Sequence, residues 1–401
     1  MPQLLVAAVL LLSCLTILIY RCIYGRRAQD PALIDQALKP SAEDPYITID
    51  ALDNFDWRST TPLRNSPLKP KYHLTMALEN ISLSDIVAMD NTFAERMQIR
   101  RQIMDEHSDA TVRCNSVCSP AVLELHEWMF GTYLPKRYPT LYKLVPKYDE
   151  KSTAQLYNTV SKEYISIQEQ DPMAALKTLG GHVDTDFLLL LGSSTSPDGQ
   201  PLYHLQAFIC CFPSGFSLRK KIGLPLSAIH IPVPGYKQKL EKSMDRFFAK
   251  LPTGKAVKRS NWAITTNAQL FSEGGNHLYE DGKTAEKVDS NYAHTAKHHG
   301  TERDVEKLDL QAQIDAQKAT VAVENCRLRS ERQTLFRLPK SGAVVFSFKT
   351  YQYRLEDVKK EGYGEELAQA IDGLATGNVP EMAFYKRQVV WGDKVKEYLR
   401  S

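Results

Sequence analysis

QAFICCFPSGFSLRKKIGLPLSAIHIPVPGYKQKLEKSMDRFFAKLPTGKAVKRSNW, residues Gln206 to Trp262, is the stretch from which the rest of the chain is read. An apolar run ends at Phe212-Pro213, and one histidine, His230, stands between a second apolar run and the rigid turn Pro232-Val233-Pro234-Gly235. Proline has no backbone donor and a fixed φ, so the chain after His230 is expected neither to extend a ladder nor to start a helix before Tyr236. The imidazole is therefore expected at the end of an extended segment, on backbone with little freedom to relax. A protein presents a nitrogen to a metal or a heme iron in this way, and it also places an ordinary strand-end histidine against a carbonyl in this way.

Tyr236 to Leu251 reads as an amphipathic helix with Leu240, Met244, Phe247, Phe248 and Leu251 inward, and Asn261 to Thr266 as a strand. Asp186–Ser193 and Leu202–Phe212 flank the turn Ser196-Pro197-Asp198-Gly199, which predicts a hairpin or neighbouring strands. Arg327–Leu338 and Ala343–Thr350, separated by Pro339-Lys340-Ser341-Gly342, predict another hairpin. Helices are expected after the Asp90-Asn91 cap, from Ser119-Pro120 to Pro135, over Leu355–Ala375 and over Pro380–Leu399. Strands cluster in the middle and helices at the ends, which is the α+β pattern of a central antiparallel sheet flanked by helices and not a βαβ series. The polar stretch 272–325, with one weak helical segment at Arg303–Val323, reads as an insertion in a surface loop.

At 401 residues, 43% apolar and 24% charged, the chain can bury a large core. A formal net charge of +3 is too small to imply a nucleic-acid partner. The seven cysteines are odd in number and unevenly spaced, which argues against a secreted disulfide framework and for a reducing compartment. Leu4 to Tyr20 is apolar and uncharged, and Arg21, Arg26 and Arg27 follow it. That order predicts an uncleaved transmembrane helix with the C-terminal side cytosolic, as a single-pass anchor in the endoplasmic reticulum. The expected organisation is an anchor at 1–20, a proline-rich juxtamembrane linker at 21–70 and a globular domain at 71–401.

Cys210-Cys211 lie in an apolar run where thiols are structural unless a pocket lowers their pKa. His294 and His298, with His299 and Glu302, have a zinc-like spacing in polar surroundings that Gly300 interrupts. Asp184-Thr185-Asp186 has the form of the two-carboxylate metal motif of nucleotide-sugar transferases, but it precedes a strand where that motif follows one. Arg329 and Arg337 are expected on one face of their strand and Arg332 on the other. Each needs a partner, either internal carboxylates or a ligand's carboxylates, which guanidinium grips bidentately. Arg259, before Asn261-Trp262, raises the same question. No dinucleotide fingerprint, phosphate loop or nucleophile elbow is present.

Five motifs in order, FPSGFS with Lys221, IGLPL (222–226), IHIPVPGY (229–236), RSNW (259–262) and LRSERQTLFRLPKSGAVVF (328–346), resemble the heme-dependent oxidative N-demethylase-like family over about residues 71–390. That family has fungal members and includes the heme subunit of bacterial dimethylamine monooxygenase. The resemblance implies a PAS-like α+β domain with heme b that uses dioxygen to demethylate a small-molecule amine, releasing formaldehyde. It also implies electrons from NADPH through flavin and an iron–sulfur centre, here in a separate reductase, since the chain has no motif for either. His230 then becomes the candidate axial ligand of the heme iron, with Arg259, Arg329 and Arg332 candidates for propionates or substrate. A non-enzymatic heme sensor, using the same His230, and a membrane glycosyltransferase, using Asp184 and Asp186, are the alternatives from other functional classes.

Overall fold

The computed structural model describes residues 44–64, 68–145, 154–279 and 302–401. The chain divides into two compact units, Met1–Thr48 and Ile49–Ser401. The described part of the first is a turn at 45–47. The second holds ten strands among the described residues: β1 (Glu79–Ile81), β2 (Val112–Cys114), β3 (Tyr142–Val145), β4 (Gln155–Asn158), β5 (Glu163–Ser166), β6 (Asp186–Thr195), β7 (Pro201–Ile209), β8 (Ala256–Thr265), β9 (Arg327–Arg337) and β10 (Val344–Arg354). Its longer helices are α1 (Phe93–Glu106), α2 (Ser119–Trp128), α3 (Pro172–His182), α4 (Glu241–Lys250), α5 (Glu302–Thr320), α6 (Gly364–Thr376) and α7 (Gln388–Arg400).

Seven strands form one antiparallel sheet in the order β1-β8-β9-β10-β6-β7-β2, and β3-β4-β5 form a second, small one. Both expected hairpins are present. β9 and β10 pair over their whole length, Val344 opposite Arg337 through Arg354 opposite Arg327. Gly342, at φ +70°, supplies the left-handed residue of their turn. Glu124 of α2 accepts from the amides of Lys340 and Ser341 at 2.7 Å each, so two turn donors that no ladder can use are satisfied by one carboxylate.

The period-2 alternation of β9 separates the two faces of the sheet. Arg329, Glu331, Gln333 and Leu335 face a cavity. On the opposite face Phe336 meets Trp128 at 5.7 Å between ring centroids, and Arg332 donates to Ile86 O at 3.3 Å. Behind that face α1 is tied to α3 and to the start of β6: Arg100 donates to Gly180 O at 2.8 Å and to Thr185 O at 3.0 Å.

The α+β layout with a large antiparallel sheet is present, but two expectations are corrected. No helix among the described residues is long and apolar enough to cross a membrane. The longest of them, α5, has 19 residues but carries charged side chains along its length. The transmembrane helix in the expected fold, and with it the single-pass placement in the endoplasmic reticulum, is therefore not supported. The run Leu4–Tyr20 on which it rested lies outside the described residues. The second correction is local: His230 ends no extended segment. It caps the helical turn Leu226–Ile229, with φ −100° and ψ 6°.

Candidate active site

The cavity lies on one face of the seven-stranded sheet and has a volume of about 300 Å³, within the range of cofactor and ligand sites. Its floor is side chains of β6, β7, β8, β9 and β10. Its roof is the Leu226–His230 turn, the segment from Tyr236 to Phe248, and Met382, Tyr385 and Lys386. Most of the lining is aliphatic or aromatic, and the polar groups are few.

His230 is held from behind by its own turn. Its Nδ1 lies 2.8 Å from Leu226 O, and a carbonyl only accepts, so Nδ1 carries the proton. That leaves the Nε2 lone pair without a hydrogen-bond partner among the described residues. The ring stacks on Tyr236 at 4.7 Å with 14° between planes. Burial pushes its pKa down to about 4, against the Leu226 bond, with Lys221 and Arg259 adding to the depression. The imidazole is thus neutral near pH 7, as a ligand nitrogen must be. The same turn is closed by Lys221, whose Nζ donates to Ile229 O at 2.8 Å and lies 4.3 Å over the Phe216 ring.

Arg259 and Arg329 also face the cavity, and they differ. Arg329 is 1% exposed and donates to Phe212 O at 2.7 Å, Leu270 O at 3.1 Å and Pro213 O at 3.3 Å, clamping two loops at the cavity edge. Its Nε has no partner among the described residues. Arg259 carries a buried Nε without a partner among the described residues, and burial draws its pKa below the ordinary guanidinium value. Arg332 is on the opposite face of the sheet, bonded to Ile86 O and Asp85 O, so the structure does not bring it to the others.

Three cavity groups were not singled out from the sequence. His277 stacks on Tyr385 at 4.4 Å, and burial, then Lys386, pushes its pKa down to about 3. It fills the space beside Gly215, where an added Cβ would lie 2.4 Å from its Nδ1 and φ is +76°. Lys386 donates to Trp262 O and to Asn261 Oδ1, and burial lowers its pKa to about 8. Glu331 accepts from Gln333 Nε2 at 2.9 Å and from Asn261 Nδ2 at 3.5 Å. Only Glu331 had a signal that could have placed it, its parity with Arg329 on β9.

The other constellations are accounted for by packing. Asp184 pairs with Arg96 at 2.7 Å and Lys349 at 3.1 Å, and despite burial these cations hold its carboxyl down to about 2. Asp186 pairs with Arg100 at 2.7 Å and accepts the amides of Cys211 and Phe212 at 2.8 and 3.0 Å. Neither carboxylate lines the cavity, and no metal-binding group of three His, Cys, Asp or Glu occurs among the described residues. Cys210 directs its thiol to Asp186 Oδ2 at 3.7 Å, and burial raises its pKa well above the usual thiol value. The Cys211 thiol is pushed up to about 12 by burial. His294, His298 and His299 lie outside the described residues, as does the Glu302 side chain.

A family model described as haem-dependent oxidative N-demethylase, alpha subunit-like, matches residues 77–396. The chain belongs to this family. No curated protein matches it. The matched span starts two residues before β1 and ends within α7, so it contains the whole large sheet and nearly all of the cavity lining. Membership makes this a heme-dependent, oxygenase-type chain that works with a small-molecule substrate and a separate electron-transfer partner. The residues present fit heme. A largely hydrocarbon cavity suits a macrocycle, one neutral imidazole offers an uncommitted Nε2, and the buried Arg259 Nε lacks an acceptor. The protonated thiols of Cys210 and Cys211 do not fit as iron ligands.

Proposed function

We propose that this cavity would hold heme b, with His230 Nε2 the nitrogen that would bind its iron, and that the chain removes a methyl group oxidatively from a small amine. Dioxygen is the co-substrate, and electrons come from a separate NADPH-dependent reductase. The observation that carries the reading is the bond from His230 Nδ1 to Leu226 O at 2.8 Å. A ligating imidazole is commonly held in this way, with its second nitrogen donating to a carbonyl that sets the tautomer and raises basicity. Bound heme supplies the activation of dioxygen.

The chain's own residues divide the remaining tasks. Arg259, with a buried donor and no acceptor, is suited to a propionate carboxylate, which satisfies the donor and offsets a buried charge. Arg329 spends its terminal nitrogens on backbone carbonyls and so holds the Phe212-Pro213 edge in place. Glu331, oriented by Gln333 and Asn261, offers a carboxylate oxygen to the N–H of a protonated amine. Lys386 Nζ, with its pKa lowered to about 8, can release or hold a proton near neutral pH.

The balanced reaction takes an N-methyl amine, dioxygen, two electrons and two protons to the demethylated amine, formaldehyde and water. The test supplies the heme-loaded full chain with NADPH, ferredoxin–NADP reductase, ferredoxin and a panel of N-methyl amines, and measures formaldehyde. Formaldehyde from at least one amine, falling to background in His230→Ala, is the expected result. Heme that is reduced and consumes oxygen without formaldehyde from any amine would leave a heme-binding protein and remove the demethylase reading.

A further inference from the structure

The segment from Tyr236 to Lys250 is a wall with two unlike faces. Tyr236, Leu240, Met244 and Phe248, spaced by four, line the cavity. Lys237, Lys239, Lys242, Arg246 and Lys250 are exposed on the outside. These five cations stand against two carboxylates in the segment, Glu241 and Asp245, a surplus as large as the formal net charge of +3 on the whole chain. None of the five forms an ion pair with a described residue. Lys242 helps hold the exposed Asp198 carboxyl below its ordinary value, but the remaining charge concentrated on this element meets no described carboxylate of a neighbouring element at ion-pair distance and is not needed for the fold, which the inward stripe already secures. Ile231, at the end of the turn that carries His230, is 57% exposed beside the same wall. An exposed apolar residue next to a charged border is the makeup of a transient protein interface.

We infer that this outer face is the docking surface for an electron-donor protein with an acidic face, and the inference rests on the heme reading of the cavity. Only one helix, about 10 Å across with its side chains, separates the basic surface from the cavity lining. A donor seated there would bring its reduced flavin or iron–sulfur centre to the shortest protein path inward. In each encounter the donor centre is oxidised by one electron and the cofactor in the cavity is reduced by one, and no bond is made or broken. Complementary charge suits such an encounter, because it speeds association and leaves release fast.

The test uses the heme-loaded full chain and a plant-type [2Fe–2S] ferredoxin, an acidic protein, as the probe. Binding is measured by titration calorimetry, and reduction by stopped-flow absorbance, at about 0.01 M and about 0.15 M ionic strength, where screening lengths are about 30 and 8 Å. The expected result is binding that weakens with salt, and association with a K239E/K242E/R246E variant slowed at least about tenfold at low salt. The three side chains are exposed and touch neither the cavity nor a partner, so heme absorbance and reduction by dithionite are expected to be unchanged in the variant. Those two readings judge the heme assignment separately. Ferredoxin binding that ignores either salt or the charge reversal would overturn the proposal. So would retention by phosphatidylserine vesicles without retention of ferredoxin, which would assign the face to anionic lipid.

Discussion

Two aspartates two positions apart carry different parts of one buried network, and it holds the sheet to the helices behind it. Asp186 is 1% exposed, faces Arg100 at 2.7 Å and caps the amides of Cys211 and Phe212, so it fixes the backbone that leads into the cavity edge. Asp186→Asn removes the charge and leaves Arg100 buried and unpaired, which costs about 3 kcal/mol in comparable cases. The expected outcome is a loss of that size in urea unfolding, with no response of either protein to added manganese. A variant of unchanged stability would show that the pair is not structural. At the same scale His230 was legible as a ligand candidate, though its backbone was not. Pro232 restricts Ile231, the residue before it, and leaves His230 free to close a helical turn.

The element that makes the site is the run from Pro225 to Leu251, in which a short turn, a proline-bounded bend and two helical pieces follow one another. Gly235 sits at the bend with φ +72° and caps Tyr236–Lys239, and a Cβ there would lie 2.7 Å from Val379 Cγ2. Gly235→Ala meets both the left-handed penalty and that contact, so a loss of about 2 kcal/mol is expected in chemical denaturation, with heme affinity reduced as well. An alanine variant as stable as the parent would show that the bend has room to relax. Sequence periodicity recovered the apolar stripe of this element, but not its break at Leu240, because the inward spacing continues through the break. The long strands were legible for the same reason, although β8 begins at Ala256, earlier than expected. The strands of three or four residues were not, since β3, β4 and β5 are too short to show a repeat. Helix α3 was overlooked although Asp171-Pro172 marks its start, with the Asp171 carboxylate accepting from Met173 and Ala174.

Over the whole molecule the cavity is assembled from segments between Tyr72 and Lys386, far apart in the chain. That distance explains what the sequence left unread. His277 lies in the stretch taken for a polar insertion, and Lys386 in the turn between Met382–Tyr385 and α7, within a span expected as one helix; neither has a neighbour in sequence that marks it as part of a site. Sheet parity separates Arg329 from Arg332 as expected, and of the three arginines considered for propionates or substrate, Arg259 and Arg329 reach the cavity while Arg332 binds the helical side. Whether His230 Nε2 holds heme iron in this cavity is decided by the absorption spectrum of the full chain expressed with a heme precursor, beside His230→Ala. A Soret band in the parent that is lost or shifted in the variant is the expected result. No Soret band in the folded parent, or an identical band in both proteins, would contradict the claim.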